Sequence, residues 1–117
     1  AWAYGADKGL RLRHWILAFT QDEVRQFGSN VYPMLDHIAR QAAAYYGSQY
    51  QIIYAVHMDR DHPHIHFVMN TVNYVTGRKY PGDKADYYAY QKYLGKILHP
   101  YGLYVMTVSD DGNRSDL

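Results

Sequence analysis

The chain contains no cysteine and one glutamate, Glu23. The first absence excludes disulfides and thiolate metal sites. The second excludes metal schemes that need a glutamate beside histidines, such as HExxH, because Glu23 stands far from the histidine-rich stretch. The HxHxDH order of binuclear hydrolases is also missing. No run is long and apolar enough to span a membrane and no signal-peptide pattern opens the chain, so a cytoplasmic location is the default expectation. The net charge is only +1, so the chain is no polycation, and any nucleic-acid partner must be argued from local patches. Phenylalanine is scarce, 3 residues against 14 tyrosines. Tyrosine joins a flat apolar ring to a polar tip, which suits core edges and can also stack unpaired bases. The 117 residues suffice for one domain with a modest core. The first residue is Ala1 rather than Met, so a fragment lacking an N-terminal segment is expected.

What the chain does have is histidine in one place. Four of its seven histidines fall within His57-Met58-Asp59-Arg60-Asp61-His62-Pro63-His64-Ile65-His66. The stretch reads as strand, tight loop and strand. Side chains two apart in a strand share a face, so His64 and His66 point the same way, and the loop folds His57 back beside them. Alternation puts His64, His66, Val68 and Asn70 on one face and the apolar Ile65, Phe67 and Met69 on the other. Three converging imidazoles can hold a divalent cation with coordination positions left open. Asp59 could orient a ligand imidazole or meet substrate. Asp61 and His62 fall in the loop, with His62 assigned to solvent or substrate, and Pro63 stiffens the approach to His64. His14, His37 and His99 stand apart in the sequence and are assigned ordinary strand, helix-surface and helix-end roles.

Elsewhere the punctuation is conventional. Residues 11–20 are rich in β-formers and read as a strand, and residues 21–30 are polar and read as a connection. A helix follows from Ser29 or Asn30 to Gly47, with Pro33 in its first turn and a stripe of Val31, Met34, Leu35, Ile38, Ala42 and Tyr45. Residues 49–58 and 64–74 form a hairpin. Thr76-Gly77 and Pro81-Gly82 mark turns. Asp83 caps a second helix running to about Leu98, with Tyr87, Tyr90, Leu94, Ile97 and Leu98 along one side, and Pro100 and Gly102 stop it. Residues 103–108 read as a last strand and 109–117 as a polar tail. The order β-α-β-β-α-β predicts an α+β fold: an antiparallel sheet with two helices on one face, of the split βαβ, ferredoxin-like kind, with the histidines on the free face.

The motif HMDRDHPHIHFVMN, His57 to Asn70, resembles the three-histidine motif of the conjugative relaxase, or mobilization nuclease, family, within the histidine-hydrophobe-histidine endonucleases. VNYVTGRKY (Val72 to Tyr80), KADYYAYQKYLGKILHPYGL (Lys84 to Leu103) and RHWILAF (Arg13 to Phe19) extend the likeness over roughly residues 11–108. The resemblance implies Mg²⁺ or Mn²⁺ on His57, His64 and His66, with Zn²⁺ or Ni²⁺ as crystallographic substitutes. It implies Asp59 as the HxD aspartate. It further implies a tyrosine that attacks single-stranded DNA at a transfer origin through a 5′-phosphotyrosine link, with accessory relaxosome proteins as partners and no membrane. Relaxases carry that tyrosine near the N-terminus, where this chain offers Tyr4. Replication initiators and small transposases carry it on the helix after the histidine strand, where Tyr87, Tyr88, Tyr90 and Tyr93 stand and Tyr93 to Lys96 reads YxxK. A DNA-binding piece that does not itself cleave is the third alternative. Asn70, Arg78 and Lys79 are the candidate DNA contacts. Lys8, Arg11, Arg13, Lys84, Lys92 and Lys96 are further cations, read mainly as solvated surface charge.

Overall fold

A computed structural model describes residues 2–6, 11–58, 62–108 and 114–116, with side-chain detail for residues 11–58 and 62–105. The strands are β1 (Trp2–Ala6), β2 (Leu12–Ala18), β3 (Ile52–His57), β4 (His64–Asn70), β5 (Met106–Val108) and β6 (Arg114–Asp116). The α-helices are α1 (Gln21–Val24), α2 (Val31–Gly47) and α3 (Lys84–Leu98). The sheet order is β3-β4-β2-β1-β5-β6. β3, β4 and β2 form a three-stranded antiparallel core. The fold is the α+β architecture that the pattern predicts, with both long helices on one face.

Period-two burial explains this layering. In β2, Trp15 and Leu17 are buried, followed by Phe19 just beyond the strand, and in β4 Ile65, Phe67 and Met69 are fully buried. These side chains meet Leu35, Ile38, Ala39, Ala42 and Tyr46 of α2 and Tyr90, Leu94 and Leu98 of α3 in one core. The predicted α2 stripe holds at Leu35, Ile38 and Ala42, and Tyr46 is the buried aromatic of this helix. The small Ala39, Ala42 and Ala43 let the α2 backbone come close enough for the Tyr90 hydroxyl to donate to the Ala42 carbonyl at 3.0 Å. Asp83 caps α3 as expected, its carboxylate accepting from the Asp86 N–H at 2.9 Å. Past α3 a short 3₁₀ turn ends at Gly102, whose φ of 70° is left-handed backbone that glycine adopts without strain.

Three elements depart from the expectation. β1 was not foreseen: WAYGA is short, ends in small residues and lacks apolar–polar alternation. It gains its order from neighbours, running antiparallel to β2 and parallel to β5. It therefore separates the first and last strands of the split βαβ unit, which a four-stranded ferredoxin-like sheet would pair directly. Within the expected polar tail, residues 114–116 pair with β5 as β6. The expected connection over residues 21–30 folds as α1 and a 3₁₀ segment interrupted at Gly28. A capping box drives α1: the Thr20 hydroxyl accepts from the Glu23 N–H at 3.1 Å, and the Glu23 carboxylate accepts from the Thr20 N–H at 2.9 Å. Thr20→Ala removes one half of this exchange. It is expected to cost about 1 kcal/mol of unfolding free energy in urea denaturation.

Candidate metal centre

Strand register builds the site. His57 pairs directly with His64, and Ala55 with His66, across β3 and β4. Directly opposed residues share a face of the sheet, with Cβ atoms about 5 Å apart. The apolar Ile65, Phe67 and Met69 are committed to the helices, so the alternate residues His64 and His66 must face away from them. The three rings lean together, with centroids 4.3 Å apart for His57 and His66, 4.7 Å for His64 and His66, and 5.2 Å for His57 and His64. Their nearest ligand nitrogens all lie within 4.8 Å of one another. His57 is exposed and the other two are half-buried. The expected trio is thus brought together on the face without helices.

These residues suit a divalent cation. The donors are three imidazoles, good ligands for transition ions. A centre about 2.1 Å from each nitrogen needs nitrogens no more than about 4.2 Å apart. Small ring rotations would close the difference from the observed spacing. One ring is already oriented from behind. His64 Nδ1 lies 2.8 Å from the His62 carbonyl oxygen. Since a carbonyl only accepts, Nδ1 carries the proton and Nε2 is the unprotonated nitrogen of the neutral ring. His62 therefore acts on the site through its backbone.

The surrounding floor is open. Ala18 lies opposite His64 on β2, and Ile16 opposite His66. The next row holds Ile53, Val68 and His14, and Asn70 pairs with Leu12 beyond it. β1 continues the rows: Tyr4 is registered against Ile16, and so lies in line with His66, two strands away. At strand spacing that is about 10 Å between backbones. Asp59, Asp61 and Lys8 lie outside the described residues.

The remaining expectations fare unevenly. Tyr93 and Tyr90 sit on α3, across the sheet from the histidines. The Tyr93 hydroxyl donates to the Gln41 carbonyl at 2.6 Å, and Tyr90 is buried against Trp15. Burial raises the pKa of both phenols. These two hydroxyls therefore lie on the helix side of the sheet, opposite the face that carries the imidazoles. Arg13 is no free surface cation either. Its guanidinium packs over Trp15, Tyr46 and Tyr80 on the helix side. Asn70 shares the histidine face, and its side-chain oxygen accepts from the Val72 N–H at 2.9 Å. Arg78 and Lys79 are exposed in the turn after β4. Four residues of strand separate His66 from Asn70, about 13 Å, so these two cations belong to the far end of the sheet. His37 and His99 are exposed, as assigned. His14 does not stand apart as expected: its Nε2 lies 3.2 Å from Nδ1 of His66. Sequence spacing hides this contact, because it depends on β2 and β4 being neighbours.

Three convergent imidazoles thus lie on one sheet face, and α2 and α3 pack against the other. The sequence matches the family described as relaxase, MobA/VirD2-like, nuclease domain, over residues 3–103, and the chain belongs to that family. Two curated relatives, both named protein rlx, of Staphylococcus aureus, are 29% identical over 108 residues and 28% identical over 102 residues. The alignments cover 92% and 87% of this chain but 32% and 30% of the relatives, so the chain spans about a third of their length. No solved structure matches the chain significantly. Among the described residues no helix is long and apolar enough to cross a membrane.

Proposed function

We propose that this chain is the nuclease domain of a relaxase that nicks and rejoins single-stranded DNA at an origin of transfer, for mobilization of the DNA that carries it. The observation that supports this most is the convergence of His57, His64 and His66 on an uncovered sheet face. A divalent cation held there would draw charge from a non-bridging phosphate oxygen and offset the charge that builds up during attack. The imidazoles place the phosphate. Ala18 and Ala55, small residues beside His64 and His66, leave room for the sugar-phosphate chain. The attacking group is a tyrosine, either Tyr4, in the row of His66, or one elsewhere in the protein. Its oxygen forms a bond to phosphorus as the bond to the 3′ oxygen breaks. The proton given up by the phenol balances the one taken up by the departing 3′ oxygen, which leaves as a hydroxyl, and the 5′-phosphotyrosine link conserves the phosphodiester for rejoining. Asp59, two residues past His57 at the end of β3, would orient an imidazole or the phenol. Asn70, Arg78 and Lys79 would grip DNA leaving along the sheet. The ion is a divalent metal, Mn²⁺ or Mg²⁺, with the imidazole donors suiting a transition ion better than Mg²⁺. Accessory proteins would present the origin as a single strand.

The test uses the full-length protein, Mn²⁺ and single-stranded oligonucleotides tiled across the transfer region of the element that encodes it. A covalent protein–DNA band on a denaturing gel is expected, with peptide mapping placing the phosphate on a tyrosine outside α3. Tyr93→Phe should form the adduct at the parental level. Binding with no adduct would leave a DNA-gripping module without strand-transfer activity, and an adduct lost in Tyr93→Phe would overturn the geometry argued above.

A further inference from the structure

His14 is on β2, one row from His66 on the neighbouring strand: it pairs with Val68, and Ile16 pairs with His66. Diagonal neighbours of this kind are within reach of aromatic side chains. The two imidazoles lie within 9° of parallel with centroids 5.4 Å apart, yet His14 Nε2 and His66 Nδ1 are only 3.2 Å apart. Nitrogens so much closer than the ring centres mean that the rings meet edge to edge. That is the plane in which an imidazole N–H and an imidazole lone pair lie, so the contact is a hydrogen bond rather than a face-to-face stack.

Such a bond has two possible senses. If His14 donates, the proton of neutral His66 resides on Nε2, and that nitrogen has no lone pair for a cation. If His66 donates from Nδ1, His14 accepts through Nε2, and His66 Nε2 is the unprotonated nitrogen. His64 already follows the second scheme, with Nδ1 tied to the His62 carbonyl.

We propose that His14 is a positioning residue: its Nε2 accepts the Nδ1 proton of His66, fixing the ring orientation and the tautomer in which His66 Nε2 can ligate a cation. The inference deepens the metal reading and rests on it for its purpose, while the hydrogen bond itself can be observed without metal. The centre then has one imidazole oriented by backbone and one by a side chain from the adjacent strand, which couples the metal site to β2 as well as to the β3–β4 hairpin.

Long-range ¹H–¹⁵N correlation of the metal-free protein, in alkaline buffer where imidazoles are neutral, reads the tautomers directly. His66 is expected to carry its proton on Nδ1 in the parent and in His14→Gln, whose side-chain carbonyl can still accept, and to move to the Nε2–H form in His14→Phe. With Mn²⁺ alone as probe, calorimetry should show His14→Phe binding about ten- to a hundredfold more weakly, the range typical of outer-shell partners, with His14→Gln close to the parent. Thermal melting of both metal-free variants should stay near the parental value. A parental His66 protonated on Nε2, or an unchanged tautomer in His14→Phe, overturns the proposal. So does parental Mn²⁺ affinity in His14→Phe. A parent that takes up no Mn²⁺ would defeat the metal reading, while the tautomer measurement would still decide whether His14 governs His66.

Discussion

His66→Ala is expected to abolish both Mn²⁺ uptake and formation of the DNA adduct while leaving the fold intact. His66 has the two closest ring contacts of the trio, 4.3 Å to His57 and 4.7 Å to His64. It is also the ring anchored by His14. Without it, two imidazoles remain, His57 exposed at the end of β3 and His64 at the start of β4. Neither constrains a cation at a defined position above the sheet. The loss in affinity should exceed the ten- to hundredfold cost of disturbing an outer partner, because a direct ligand disappears. The fold should survive, since His66 is half-buried on the open face and its strand neighbours Ile65 and Phe67 carry the core packing. Calorimetry with Mn²⁺ measures the first effect and a denaturing gel the second. His37→Ala, an exposed change on α2, serves as the control and should match the parent in both. Parental Mn²⁺ affinity in His66→Ala would remove the cation from this trio. Loss of Mn²⁺ with retained adduct would separate the metal from the cleavage step.

The site was legible to the extent that its chemistry is local in sequence. His57, His64 and His66 lie in one hairpin, where period-two alternation and a short loop dictate which side chains meet. The same alternation, opposing Ile65, Phe67 and Met69 to the histidines, told which sheet face stays uncovered. The role of His14 is not legible in the sequence, because nothing within β2 signals that β4 lies alongside, 52 residues away. β1 escaped for a related reason: WAYGA has no pattern of its own and is ordered by its partners on both edges. α1 is different, since Thr20 and Glu23 have the three-residue spacing of a capping box and could have been recognised. Arg13 shows the limit of reading charge from sequence. It shares a face of β2 with the buried Trp15 and Leu17, and the convergence of Tyr46, from α2, and Tyr80, from the loop before α3, makes it structural.

That convergence predicts the largest stability effect outside the apolar core. Tyr46 and Tyr80 both donate their hydroxyl protons to the Asp86 carboxylate, and Arg13 donates to the Tyr80 oxygen at 2.7 Å and to the Tyr46 oxygen at 3.3 Å. One carboxylate from the first turn of α3 thus ties together β2, α2, α3 and the loop after β4. Asp86→Ala would strand two phenol protons that are partly or largely removed from water, at about 1–3 kcal/mol each before relaxation. It would also take a favourable negative charge from a helix N-terminus. Partial rescue by water brings the expected net loss to about 2–3 kcal/mol, or roughly 8–12 °C in melting temperature for a domain of this size. Asp86→Asn keeps an acceptor oxygen and should lose clearly less. The same cluster sets an alkaline limit. Burial, the largest influence, pushes the Tyr46 pKa up to about 12 from its ordinary value of 10.0. A raised folded-state pKa means that the neutral phenol is the form stabilised by folding. Its contribution is complete below the unfolded value and is lost as pH climbs from 10 through 12. Thermal melts across that interval should fall steadily for the parent and less steeply for Tyr46→Phe. An Asp86→Ala protein that melts with the parent would show that the carboxylate contributes no net stability to the helix layer behind the histidines.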